Sequence, residues 1–131
     1  MKCLLDVNAL VALGFLQHEF HDRVAHWVST SASAIATCSI TELGFVRVLA
    51  QALHYRVTVT EARNLLLRLK IANTVKFSFL SDDRDVTQLP VWVKTHGQIT
   101  DGHLLQLAKA HGLALATLDK KIPGAYLIPE L

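Results

Sequence analysis

A chain of 131 residues with 51% hydrophobic residues can enclose a sizeable core without help from disulfides or metals, and a single domain spanning residues 1–131 is expected. Only 18% of residues are charged and the formal net charge is +2, so bulk electrostatics does not announce a nucleic-acid partner. No stretch approaches the run of about 20 apolar residues that a membrane-crossing helix needs, and the opening MKCLLDVNALVALGFL is interrupted by Asp6 and Asn8 with no clean cleavage pattern behind it, which argues against both a membrane anchor and secretion.

Residues 2–6 form a short apolar run with a carboxylate at its end, which reads as a strand. Leu10, Leu13 and Leu16 then recur at helical spacing over residues 9–17. Residues 19–30 place Phe20, Val24, Trp27 and Val28 on one stripe of an amphipathic helix. A second apolar strand over residues 34–38 leads into a helix over 40–53, with Leu43, Val46, Leu49, Ala50 and Leu53 on one face. Cys3 and Cys38 lie in these two strands, where cysteine usually behaves as a small buried hydrophobe, and a reduced, cytoplasmic protein is the simpler expectation.

Thr58 and Glu61 have the spacing of a capping box and predict a helix over 61–70. Val75, Phe77 and Phe79 alternate with Lys76 and Ser78, the period of a half-exposed edge strand. Pro90 predicts the start of a short helix near 91–95. Residues 100–111 carry Leu104, Leu105, Leu107 and Ala108 in helical register, with Gly112 placed to end the helix. An apolar strand over 113–118 stops at Asp119, and residues 126–128 add a last short one. Strands alternating with helices, each strand apolar on both faces, predict an α/β fold: a three-layer α/β/α sandwich around a mainly parallel sheet, whose ligands bind at the carboxyl ends of the strands.

Four acids are placed to meet at that rim. Asp6 and Asp119 close strands, while Glu42 and Asp101 open helices, and helices that follow parallel strands start where those strands end. Each acid also has an ordinary explanation. Glu42 can complete a capping box with Ser39, Asp101 favours a helix first turn, Asp6 or Asn8 can cap the first helix, and Asp119 can be a turn residue. Taken together, clustered carboxylates raise one another's pKa and call for a cation. Oxygen ligands without cysteine suit Mg²⁺ or Mn²⁺ and the hydrolysis of a phosphodiester. Asn8 and Thr117 are expected on the same side as Asp6 and Asp119, either orienting the acids and a phosphate or satisfying local backbone groups. His103 lies about 160° to 200° around its helix from Asp101, which removes it from a shared metal site.

The segments LLDVNAL, SITELGFVRVL, ITDGHLLQLAKAHG and LATLDKK, in this order, resemble the signature blocks of the PIN domain, with the likeness strongest to VapC-type toxins. The blocks run from residue 4 to residue 121. The resemblance implies metal-binding acids at Asp6, Glu42, Asp101 and Asp119, a polar partner at Asn8, a hydroxyl at Thr117 and a basic position at Arg47. It implies an Mg²⁺- or Mn²⁺-dependent endoribonuclease, commonly a homodimer and often inhibited by a small antitoxin protein. Gly102 stands where the family often has alanine, and a glycine there is expected to loosen the helix slightly. Lys120 and Lys121 follow the fourth acid as candidate phosphate contacts. A housekeeping RNA-processing nuclease, a receiver-like signalling domain and a catalytically silent interaction module are the competing readings. The receiver-like domain fits poorly, because it needs an acidic pair after the first strand and Asp6 stands alone.

Overall fold

The computed structural model describes residues 1–72 and 75–131. In chain order these form β1 (Lys2–Leu5), α1 (Val7–Gly14), α2 (His21–Ser31), β2 (Ala34–Cys38), α3 (Ser39–Gln51), α4 (Val59–Ile71), β3 (Lys76–Leu80), α5 (Ile99–Ala110), β4 (Ala114–Thr117) and β5 (Tyr126–Leu127). The five strands make one sheet in the order β3-β2-β1-β4-β5, and every pairing is parallel. The sheet is therefore wholly parallel, with β3 at an edge as its alternating pattern predicts.

Strand alternation divides the apolar residues between two layers. Cys3, Leu5, Ile35 and Ala116 face a core built with Leu10 of α1, Val24 of α2, Phe45 of α3 and Leu66 of α4. Leu4, Ala36, Cys38 and Leu115 face the other side, where Leu104, Leu105, Leu107 and Ala108 of α5 cover them. This is a three-layer arrangement, with four helices on one face and α5 on the other. Both cysteines are buried and free, and burial pushes the Cys3 thiol up to about 11, so it stays protonated and inert.

Helix ends deviate from the periodicity for identifiable reasons. The first helix begins at Val7, because Asp6 caps it directly, and it ends at Gly14, leaving Leu16 outside and 74% exposed. The buried stripe of α3 is Thr41, Phe45 and Leu49, whereas Leu43 and the post-helical Leu53 are exposed. The Thr58–Glu61 capping box forms as predicted, with both reciprocal hydrogen bonds at 3.1 Å.

The helix expected near 91–95 does not form. Val93 N–H donates to Pro90 O in a tight turn, and the Gln98 side chain accepts from both Lys94 N–H and Thr95 N–H. Five residues cannot offset the cost of helix nucleation when a side chain captures their backbone donors. The glycine at 102 also acts differently from expectation. A Cβ there would lie 2.4 Å from Val93 Cγ2 and 3.1 Å from Pro90 Cδ, so its absence lets this turn pack directly on α5.

Leu115 is fully buried in β4, so Leu115→Ala should cost about 2–5 kcal/mol of unfolding free energy in urea titrations. Leu53→Ala, at an 88% exposed position, should stay within about 0.5 kcal/mol of the parent.

Candidate active site

The chain runs from β1 outward through β2 to β3, then returns to place β4 on the other side of β1. In parallel sheets such a reversal opens a crevice at the carboxyl ends of the two strands. Asp6 follows β1 immediately, and Asp119 stands two residues beyond β4. Polar burial concentrates at the same end of the sheet. Among the described residues the buried polar side chains are Asp6, Thr37, Thr41 and Thr117, at the ends of β1, β2 and β4 or in the first turn of α3.

Thr117 organises this crevice. Its hydroxyl donates to Asp6 Oδ2 at 2.8 Å and accepts from Asp119 N–H at 3.0 Å. Asn8 Nδ2 lies 3.3 Å from the same hydroxyl, and Asn8 Oδ1 accepts from Leu118 N–H at 3.1 Å. The other Asp6 oxygen accepts from Val7 N–H at 2.8 Å. Asn8 and Thr117 thus tie α1 to β4 around a carboxylate that is only 5% exposed.

Burial raises the Asp6 pKa above its ordinary value. Hydrogen bonds from Thr117 and Val7 oppose that rise, and the neighbouring Asp119 charge adds to it. Asp101, in the first turn of α5, is also raised, first by burial and then by the charges of Asp6 and Asp119. Asp6, Asp101 and Asp119 therefore share one electrostatic neighbourhood.

Glu42 is differently placed. Its Oε2 accepts from Thr37 Oγ1 at 2.6 Å and from Lys70 Nζ at 2.6 Å, linking the end of β2 and the last turn of α4. It does not complete a capping box with Ser39. The box at the start of α3 is formed by Cys38 and Thr41, with Cys38 N–H donating to Thr41 Oγ1 at 2.9 Å, and this frees the Glu42 carboxylate for its outward contacts. Among the described residues, no three carboxylate, histidine or cysteine side chains are arranged as a ready set of ligands for one ion.

Arg47 is exposed on α3, and with Glu42 and Arg63 it borders a groove of about 470 Å³ between α3 and α4 whose floor includes Val46 and Leu66. Asp119 Oδ1 accepts from Lys121 N–H at 2.8 Å, so the turn reading of Asp119 holds, and Thr117 Oγ1 links its backbone to the Asp6 carboxylate. Lys120 and Lys121 are exposed. His103 pairs with Asp82. Periodicity did not reveal Thr37 or Lys70. A hydroxyl in an otherwise apolar strand was the available signal for Thr37, while Lys70 had none, since a lysine in a helix's last turn is ordinary.

The oxygen-only donors suit a hard divalent cation, with Asp6, Asp101 and Asp119 as the carboxylates nearest one another in effect. The raised pKa values also set a pH dependence. A carboxyl whose folded pKa exceeds its unfolded one binds its proton more tightly when folded, so in metal-free protein it adds stability as pH falls through the folded value. Between that value and the ordinary 3.8, Asp6 and Asp101 should make stability decrease with rising pH. Asp6→Asn should flatten this slope in denaturant midpoints measured across the acidic range. A slope unchanged by the substitution would contradict the assignment.

Residues 3–126 match the family profile of the PIN domain. Ribonuclease VapC38 of Mycobacterium tuberculosis is 39% identical over 120 residues, covering 88% of this chain and 84% of the relative. Ribonuclease VapC29 of the same species is 35% identical over 120 residues, covering 91% and 86%. The fold is shared with the M. tuberculosis toxin VapC20, described as cleaving the sarcin-ricin loop, at a TM-score of 0.63 and 10% identity over 100% of both chains. It is also shared with a toxin–antitoxin complex from Klebsiella pneumoniae, at a TM-score of 0.61 and 21% identity over 98% of this chain and 99% of that one. On the strength of the sequence matches, the chain belongs to the PIN domain family, among relatives that are VapC ribonucleases.

Proposed function

We propose that the protein is an Mg²⁺- or Mn²⁺-dependent endoribonuclease and the toxin of a toxin–antitoxin pair, acting in the cytoplasm as a homodimer. The observation that carries the reading is the Thr117 hydroxyl joining the Asp6 carboxylate to the Asp119 backbone at the crevice between β1 and β4, and the raised pKa of Asp101, to which both charges contribute, supports it. The toxin role is supported by relatives that are VapC ribonucleases and by structural neighbours solved with antitoxins.

Asp6, Asp101 and Asp119 would hold the cation, with Glu42 as a fourth ligand once its carboxylate is free of Lys70. When bound, such a cation supplies Lewis acidity and positive charge beside a phosphate. The chain's own residues do the positioning. Thr117 and Asn8 hold the Asp6 carboxylate against α1 and β4, so one of the ligands keeps its place whether or not RNA is present. Arg47 on α3 and the exposed Lys120 and Lys121 are the basic groups assigned to RNA phosphates, where a cation fixes the position of the strand without reading its bases.

One observation favours the silent-module reading: the absence of a ready ligand trio among the described residues. Metal binding separates the two. A nuclease must take up Mn²⁺ in calorimetry, and a silent module need not.

RNA cleavage should require Mg²⁺ or Mn²⁺ and stop on chelation. Asp6→Asn and Asp101→Asn should each reduce cleavage to background while leaving the melting temperature unchanged or higher, because each removes a partly desolvated charge repelled by its neighbours. Cleavage at the parental rate by either variant would refute the site.

A further inference from the structure

Lys70 occupies a position that ordinary helix chemistry does not explain. A lysine in the last turn of a helix normally reaches the terminal carbonyls or water. Here its ammonium turns instead to Glu42 at the start of α3, 2.6 Å from Oε2. It also lies over the ring of Phe79, 5.6 Å from the centroid. Phe79 of β3 is the register partner of Thr37 of β2, and the Thr37 hydroxyl donates to the same Glu42 oxygen at 2.6 Å. Lys70 of α4 and Thr37 of β2 thus converge on one carboxylate oxygen, with the Phe79 ring of β3 against the ammonium. The two charged side chains are only 25% and 23% exposed, so water screens their attraction incompletely.

We infer that Lys70 is an internal counter-ion that competes with the divalent cation for the Glu42 charge, so that cation uptake weakens the Lys70–Glu42 pair and the pair in turn weakens cation uptake. This rests on the reading of the acidic crevice as a cation site. An ammonium and a divalent cation drawn to the same carboxylate repel each other, and the two hydrogen bonds on Oε2 hold Glu42 toward Lys70 and Thr37. While Lys70 holds Glu42, the remaining acids are the three aspartates, which among the described residues do not form a ready ligand set. When the cation recruits Glu42, its charge weakens the hold of Lys70 on the carboxylate. Lys70 is therefore a positioning residue that sets how much cation the site needs before it is complete.

The test is calorimetric titration of metal-free protein with Mn²⁺, without RNA, in a double-mutant cycle. Lys70→Met keeps most of the side chain's length and removes its charge, and it should bind Mn²⁺ roughly two- to tenfold more tightly than the parent, the size of a partly exposed ion pair expressed as a ratio. Lys70→Arg keeps the charge and should stay near the parent. In a Glu42→Gln background, Lys70→Met should change nothing, because the competed ligand is gone. Lys70→Gln carries the same expectation as Lys70→Met and replaces it if the methionine variant does not fold.

Equal or weaker binding by Lys70→Met, with the parent binding normally, overturns the competition and leaves the cation site standing. A gain that persists undiminished in the Glu42→Gln background also overturns it, since that result reports the general field of a removed positive charge. If neither the parent nor Lys70→Met binds Mn²⁺, the cation site and the competition fall together.

Discussion

The hydrogen bond from Thr117 to Asp6 joins two strands that are 111 residues apart in sequence, and the crevice depends on it. A carboxylate only 5% exposed is costly to bury unless its oxygens are satisfied. Asp6 meets that demand with a backbone donor from α1 on one oxygen and the Thr117 hydroxyl on the other. Asn8 completes the arrangement by bridging to Thr117 and to the backbone of Leu118. The arrangement fixes where β1, α1 and β4 meet and leaves Asp6 beside Asp119, with Asp101 close enough to feel both charges.

Burial first, and that proximity second, raises the pKa of Asp6 and Asp101 in the metal-free protein. Each of the three aspartates sits where a helix start or a turn tolerates it, and that local benefit explains how the fold accommodates them. Asp6 caps α1, Asp101 lies in the favourable first turn of α5, and Asp119 closes a turn through Lys121 N–H. The structural role and the proposed chemical one fall on the same carboxylates. An acid needed at the rim of a parallel sheet is best supported at a helix N-terminus, because those helices begin at that rim.

Glu42 shows a different solution to the same problem. Its charge is balanced within the chain by Lys70 and steadied by Thr37, whereas the three aspartates have one another as neighbours. Charge is thus handled in two ways: acids stand unneutralised at the ends of β1 and β4, and Glu42 is neutralised where β2, α3 and α4 meet. The groove between α3 and α4, bordered by Glu42, Arg47 and Arg63, continues from the latter place.

Local patterns in the sequence determined the strands and most helices, because burial on both faces demands continuous apolar runs and amphipathic helices demand a 3.6-residue period. They also determined that Asp6 and Asp119 would lie at strand ends, and the four ordered blocks identified the family. They failed at residues 91–95, where the Gln98 side chain outcompetes a marginal helix, and at Gly102, whose packing against Val93 and Pro90 has no local signature. Tertiary structure alone decided that β4 returns beside β1, which brings Thr117 to Asp6. It alone decided that Lys70 reaches Glu42 across 28 residues of chain. Periodicity records which face of an element is buried, but the pairing of distant charges depends on how whole elements cross, and no window of sequence contains that information.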